Sequence, residues 1–290
     1  MTRLDYSDWL KRLYGCRVQK LNVNAGFTCP NRDGSLGSGG CIYCNNASFT
    51  PAHCNHGESV TQQLLSGKKF YAGKYSDMRY LAYFQSYTGT YASLNKLKSI
   101  YHEALAVSDV VGLVISTRPD CLGDDVLDYL AALNIHNKVI VEIGIETTHD
   151  STLHLINRCH SWQCAQDAVC RVAGRGIAVG AHMILGLPGE SVSDMLESAR
   201  AIAQLPLNTV KFHQLQVLRG TMLAQRWARG EVQLQQWTAR QYADLCREII
   251  ACLPCLMVIE RMVSTAPPSM LLYPQWGLKP SQFQEIFENL

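Results

Sequence analysis

Three cysteines in a glycine-rich stretch offer the clearest chemistry in this sequence. Cys29, Cys41 and Cys44 fall within residues 27–46 at a spacing of C-x11-C-x2-C. Cys41 and Cys44 can turn both sulfurs toward one centre, and Gly34, Gly37, Gly39 and Gly40 let the backbone fold back so that Cys29 supplies a third. Three thiolates fall short of a closed structural zinc site, whereas a four-iron cluster held by three thiolates keeps one iron free to bind a small molecule. A zinc knuckle completed by Cys54, His53 or His56 is the alternative on ligand count. Cys246, Cys252 and Cys255 could hold a second centre or a redox pair, but Cys252 and Cys255 flank an apolar helix-to-strand junction where buried thiols are common.

These cysteines must be positioned by a scaffold. Short β-rich runs alternate with helical patterns, which predicts parallel βα units and an α/β fold. Strands are expected over 17–23, 79–85, 110–116, 138–145, 177–185 and 209–217, with helices over 59–71, 93–107, 124–134, 162–175, 192–204 and 222–229. A further helix over 238–253 and a strand over 256–262 follow, then a Pro-rich tail with no predicted place. The first 15 residues read as an amphipathic helix rather than a signal peptide. A chain of 290 residues with 47% hydrophobic and 17% charged content can bury one large core.

Catalysis in parallel barrels concentrates after the C-terminal ends of strands, and polar motifs recur there. The cysteine loop follows the first predicted strand, Gln85-Ser86-Tyr87-Thr88-Gly89-Thr90 the second, and Ser116-Thr117-Arg118-Pro119-Asp120 the third. Glu146-Thr147-Thr148 follows the fourth, Gly186-Leu187-Pro188-Gly189-Glu190 the fifth, and the sixth carries Lys211, His213 and Gln214. Any one of these is ordinary turn chemistry, but six in register point to one site. The glycines of 174–180 end a helix and open a strand, the reverse of a dinucleotide fingerprint, and Gly67-Lys68-Lys69 lacks the rest of a phosphate loop.

Composition narrows the class. Twelve cysteines at this length do not approach a secreted disulfide scaffold and predict core thiols with a few ligands in a reducing compartment. No apolar run approaches a membrane span, so a cytoplasmic protein without a membrane partner is expected. A net charge of +2 permits a local basic patch and argues against a strongly basic nucleic-acid surface.

With these residues in place, the chain resembles the radical S-adenosylmethionine (SAM) superfamily, and within it the YhcC-like family related to the radical domain of the Elongator catalytic subunit. The resemblance rests on Cys29-Pro30-Asn31-Arg32, on Gly40-Cys41-Ile42-Tyr43-Cys44, on Glu142-Ile143-Gly144-Ile145-Glu146-Thr147, on Leu155-Ile156-Asn157-Arg158-Cys159-His160 and on the run from Ala181 to Glu190. It implies a partial (β/α)6 parallel barrel over residues 1–230, including the N-terminal helix, with 231–290 as a C-terminal extension packed on it. It also implies a 4Fe-4S cluster on Cys29, Cys41 and Cys44, with S-adenosyl-L-methionine chelated to the open iron. A reduced cluster would cleave that ligand to a 5′-deoxyadenosyl radical, with flavodoxin or ferredoxin as electron donor. Implied SAM contacts are Tyr43, the loop residues Gln85, Ser86, Thr88 and Gly89, Glu146 toward the ribose, Arg158 toward the carboxylate, and His182, Gly186 and His213. Two departures stand out: Cys159 occupies a position usually held by glycine, and Ser116 one held by glutamate in the Elongator branch.

The Elongator relatives act on the wobble uridine of transfer RNA (tRNA), so the resemblance implies tRNA as a partner. Lys11, Arg12, Arg17, Lys20, Arg32, Lys68, Lys69 and Lys74 are the candidate phosphate contacts. A small metabolite or protein substrate, or a zinc-stabilised nucleic-acid-binding module, are the other readings.

Overall fold

The structure, a computed structural model, describes residues 4–51, 54, 57–71 and 77–289. It begins with α1 (Tyr6–Tyr14), β1 (Val18–Val23), α2 (Val60–Tyr71), β2 (Arg79–Phe84), α3 (Leu94–Leu105) and β3 (Val110–Thr117). It continues with α4 (Asp124–His136), β4 (Lys138–Glu146), α5 (Asp150–Leu155), α6 (Trp162–Gly174), β5 (Ala178–Leu185), α7 (Val192–Ile202) and β6 (Thr209–Gln214). The rest is β7 (Val217–Leu218), α8 (Met222–Ala228), α9 (Ala239–Ala251), β8 (Val258–Arg261), β9 (Leu271–Tyr273) and α10 (Pro280–Glu288).

Seven strands form one sheet in the order β1-β2-β3-β4-β5-β6-β8, every pairing parallel. Successive strand residues face opposite sides of a sheet, and that alternation sorts the chemistry. On the outer face Phe84, Leu113, Ile115, Val141, Ile143, Val179 and Phe212 pack against helix residues such as Leu97, Tyr101, Leu127 and Val169. Burying each such side chain contributes about 1.5–3 kcal/mol. Such doubly covered strands read as apolar runs, which is why β3 and β4 are legible in sequence.

The inner face behaves differently along its length. At the start of the strands Leu81, Tyr83, Val114 and Ile140 form an apolar floor, covered by Leu10, Trp9, Leu13 and Tyr14 of α1. Farther along, the inner positions turn polar. The sheet curls into a half-barrel, and its two edge strands meet through an ion pair between Lys20 on β1 and Glu260 on β8, at 2.8 Å.

Two expectations change. The strand predicted over 209–217 stops at Gln214; residues 217–218 leave the sheet and pair antiparallel with β9. The side chains of Gln214 and Gln216 both donate to the Ser264 carbonyl, which fixes this departure. The strand predicted over 256–262 finds its place as the seventh strand, beside β6. The Pro-rich tail holds α10, opened by Pro280, where its missing N–H costs nothing, and Phe283 stacks on Trp276. Among the described residues no helix is long and apolar enough to cross a membrane.

Candidate active site

The cysteine loop is stitched to the segment that follows β4. Asn31 is fully buried; its Nδ2 donates to the Asn157 carbonyl and to Cys41 Sγ, the latter at 3.7 Å. Asn157 Nδ2 returns a bond to the Gly40 carbonyl at 2.9 Å, and the Ile42 N–H donates to the Ile156 carbonyl at 3.1 Å. Gly40 has φ +78°, and a Cβ there would meet the Arg32 side chain at 3.0 Å. Left-handed backbone gathers around this contact, since Tyr87, Glu146, Asn157 and Cys159 all have positive φ. Strain of this kind concentrates at functional sites.

Cys29, Cys41 and Cys44 line one cavity of about 730 Å3, together with Tyr43, Gln85, Thr88, Glu146, Arg158, His182 and His213. That volume accommodates a drug-sized ligand. Arg158 stands beside the cysteines: Nη1 donates to Cys41 Sγ at 3.5 Å, Nη2 donates to the Gly144 carbonyl at 2.7 Å, and Nη2 lies 3.3 Å from Glu146 Oε1. Burial, then the neighbouring Cys41, pushes the Cys44 thiol up to about 12, so its thiolate needs a cation such as a metal.

Three residues expected at this wall stand elsewhere. Ser86, Gly89 and Gly186 are not among the cavity-lining residues. Gly89 lets β2 and β3 approach: its N–H donates to the Ser116 carbonyl, and a Cβ would lie 2.8 Å from that oxygen. Gly186 has φ +88°, and a Cβ would meet Trp237 at 2.9 Å on the far side of β5. Ser86 is buried between the cavity-lining residues Gln85 and Tyr87 in sequence. Glycine and serine serve turns and close approaches as well as ligands, so their type alone did not separate the two.

Below Arg158 the barrel holds a layer of charge. Glu142 accepts from Lys20 at 2.6 Å, from His182 Nε2 at 2.7 Å, from Tyr83 at 2.8 Å, from Ser116 at 3.0 Å and from Lys211 at 3.1 Å. Glu260 meets Lys20 at 2.8 Å and Lys211 at 2.9 Å. Burial favours the neutral acid, but Lys20 and Lys211 outweigh it and hold Glu142 well below the usual carboxylate range. Burial, with Lys211 nearby, lowers His182, so its ring is neutral and its Nε2 is committed to Glu142.

Five buried polar atoms of cavity-lining residues lack a partner among the described residues: Thr88 Oγ1, Arg118 Nη1, Arg158 Nε, His213 Nε2 and Arg261 Nε. Each such orphan costs roughly 1–3 kcal/mol, and their gathering around one cavity fits a polar ligand. The sulfurs fit a cluster better than one ion. A single zinc at about 2.3 Å from each sulfur needs ligand atoms within about 4 Å of one another. Among the described residues the set that converges within 4.8 Å is His149, Asp194 and Glu197, which contains no cysteine. Cys54 is not among the cavity-lining residues and donates to the Asn22 carbonyl; His53 and His56 lie outside the described residues. Cys246 is buried in the outer core, Cys252 is half-buried and Cys255 is exposed.

The basic candidates scatter. Lys20 is a correction, because it is locked inside the barrel between two carboxylates rather than facing solvent. Lys68 is spent on Ser108 and Asp109. Lys11, Arg12 and Arg17 lie at the α1 end of the barrel, opposite the cysteines, and exposed Lys69 lies on α2. Lys74 is outside the described residues. Arg32 remains: it is exposed, lines the cavity, and stands over the Tyr87 ring at 5.6 Å.

Sequence reasoning passed over Asn31, Asn157, Tyr83, Glu142, Glu260 and Arg261 as site residues. Strand parity could have found Glu142, which shares the inner face with Glu146. Glu260 and Arg261 needed the place of β8.

Residues 28–202 match the family described as the Radical SAM superfamily, and residues 207–290 match the Radical_SAM C-terminal domain. Protein YhcC of Escherichia coli (strain K12) is 37% identical over 268 residues, which cover 92% of this chain and 85% of that protein. YtqA of Bacillus subtilis (strain 168) is 36% identical over 269 residues, 93% of this chain and 83% of that protein. A tRNA uridine(34) acetyltransferase of Dehalococcoides mccartyi (strain CBDB1) is 28% identical over 178 residues, 60% of this chain and 37% of that protein. The solved structure of the archaeal Methanocaldococcus infernus Elp3 with an N-terminal deletion shares the fold, with a TM-score of 0.70 at 16% identity over 94% of this chain and 62% of that one.

Proposed function

The chain belongs to the radical SAM superfamily, and from that membership we propose that it modifies the side chain of the wobble uridine of tRNA. It is a radical SAM enzyme whose cofactors are a 4Fe-4S cluster and S-adenosyl-L-methionine. When bound, they supply a one-electron cleavage that yields a 5′-deoxyadenosyl radical able to take a hydrogen atom from an unreactive carbon.

In this reading Cys29, Cys41 and Cys44 hold the cluster, and flavodoxin or ferredoxin delivers the electron. Arg158, already beside Cys41, holds the SAM carboxylate, because a planar guanidinium matches that group in a bidentate pair. Glu146, 3.3 Å from Arg158, takes a ribose hydroxyl. His182 has Nε2 bound to Glu142, which leaves Nδ1 for the ligand. The apolar floor under α1 closes the chamber to water from below.

The observation that carries the RNA substrate is the similarity to a tRNA uridine(34) acetyltransferase over 178 residues. Arg32 over Tyr87 supports it, since a cation stacked on an aromatic ring suits a splayed base and its phosphate. A wobble base in an exposed loop can leave its stack at low cost.

The test compares modified nucleosides of total tRNA, by mass spectrometry, from cells with and without the protein. A wobble-uridine derivative should vanish in the deletion strain while its precursor accumulates, and Cys44→Ala should fail to restore it. Identical profiles under every growth condition would overturn the RNA substrate and favour a small-molecule or protein substrate.

A further inference from the structure

Arg261 is unlike the other buried cations of the barrel. Lys20 and Lys211 meet Glu142 and Glu260, Arg118 meets Asp120, and Arg158 meets Glu146. Arg261, half-buried in the cavity wall, has no carboxylate partner among the described residues, and its Nε is buried without a bond. Its one hydrogen bond there runs from Nη2 to His213 Nδ1 at 3.3 Å.

That bond fixes the imidazole. A guanidinium only donates, so Nδ1 accepts and the ring proton sits on Nε2, which is itself buried without a partner. Burial and the adjacent Arg261 charge keep His213 neutral. Two donors and one uncompensated positive charge therefore share one patch of the cavity wall. The patch is built rather than loose: Ser264, just beyond β8, donates its N–H to Gln214 Oε1 at 2.7 Å and accepts from Gln214 and Gln216. The His213 ring stands 5.3 Å from His182, so the patch continues the wall of the charged layer.

We propose that Arg261 and His213 form a subsite for an anionic group, a carboxylate or a phosphate, of the substrate. Arg158, at Cys41, is the guanidinium placed for the SAM carboxylate, which leaves Arg261 to the molecule that reacts. The subsite positions that molecule in the chamber and discriminates against neutral analogues, because an uncharged group would cover the half-buried guanidinium without pairing its charge. This inference rests on the cavity being the radical reaction chamber, but not on the substrate being RNA.

The first experiment needs no RNA. Thermal unfolding of the full-length protein is followed anaerobically in acetate, in inorganic phosphate and in chloride at equal ionic strength. Acetate or phosphate should raise Tm above chloride, a response to acetate alone assigning a carboxylate and to phosphate alone a phosphate. Arg261→Met and Arg261→Gln should lose that response; its absence in the wild-type protein, or its survival in both variants, would overturn the subsite. The second experiment uses tRNA from the deletion strain and an unmodified transcript of the same tRNA. Arg261→Met should lower kcat/KM on the deletion-strain tRNA roughly 10- to 100-fold, as expected for one charged hydrogen-bonding partner, with Arg261→Lys recovering part of it. Arg261-dependent binding of both RNAs identifies a backbone phosphate, and of the deletion-strain tRNA alone an anionic base substituent. If the loss appears in SAM affinity instead, the subsite belongs to the cofactor and the proposal is wrong. Should the tRNA profiles not differ between strains, the RNA reading fails and the anion titration still decides the subsite.

Discussion

Single residues set the geometry around Arg158. A Cβ on Gly144 would come within 2.5 Å of Arg158 Nη2 and 2.7 Å of Glu146 Oε1, so Gly144→Ala must move the guanidinium without altering its charge. SAM affinity, measured by equilibrium binding to the reconstituted protein, should fall roughly tenfold, approaching the loss in Arg158→Ala. Unchanged affinity in both would remove Arg158 from the cofactor site. The backbone at Cys159 shows why glycine is usual at this position: its φ of +61° is a conformation that costs a side-chain-bearing residue about 1–2 kcal/mol. Its Sγ contacts Asn31 Oδ1 at 3.1 Å, which offsets part of that cost. Cys159→Gly should raise stability by up to about 1 kcal/mol in denaturant melts, after the entropic cost of glycine; a loss would show that the thiol contact outweighs the strain.

At the scale of elements, the barrel is closed by an ion pair and a helix rather than by backbone bonding between β1 and β8. Lys20→Met leaves Glu260 and Glu142 to share Lys211 and should cost about 3–5 kcal/mol, most of which Glu260→Gln should restore in the double variant. Burial alone would raise the carboxyl pKa values of Glu142 and Glu260, but the two lysines hold both below the usual range. A carboxyl whose folded pKa is depressed adds stability above its unfolded value, near 4.3, and loses it as pH falls toward the folded value. Unfolding free energy should therefore decline as pH drops below about 4.5, and more shallowly in Lys20→Met than in the parent. Equal slopes in denaturant titrations across that range would place the acid dependence elsewhere. Beneath the charges, α1 seals the floor through Leu10, which is 5% exposed, and Leu10→Ala should cost about 2–4 kcal/mol.

For the whole molecule the metal content separates the readings. Anaerobic reconstitution with iron and sulfide should give about four irons per chain, and Cys29→Ala, Cys41→Ala or Cys44→Ala should abolish it. Cys246→Ala and Cys255→Ala should retain the full complement. Stoichiometric zinc with no iron uptake would sink the cluster, and with it the radical chemistry at this cavity.

Periodicity and spacing carried the local features. The apolar runs of β3 and β4 announced parallel strands because helices cover one face and the barrel floor the other, and the C-x11-C-x2-C spacing singled out three cysteines that line one cavity. Glu146 ends β4 and His213 lies near the C-terminal end of β6, the end that the alternation of βα units marks, whereas Arg158 comes from the segment between α5 and α6. What the sequence could not decide was which polar residues meet. Lys20 looks like any surface lysine until β8, more than 200 residues later, brings Glu260 to within 2.8 Å of it, and the parallel crossovers that make this contact leave no local signal. Glycine and serine positions were likewise ambiguous: Gly89 and Gly186 serve close strand packing and a left-handed turn, and only the packed neighbours Ser116 and Trp237 tell these roles from ligand binding. The charge left over at Arg261 is the clearest case, because a missing partner can be recognised only after every other carboxylate in the barrel has found its own.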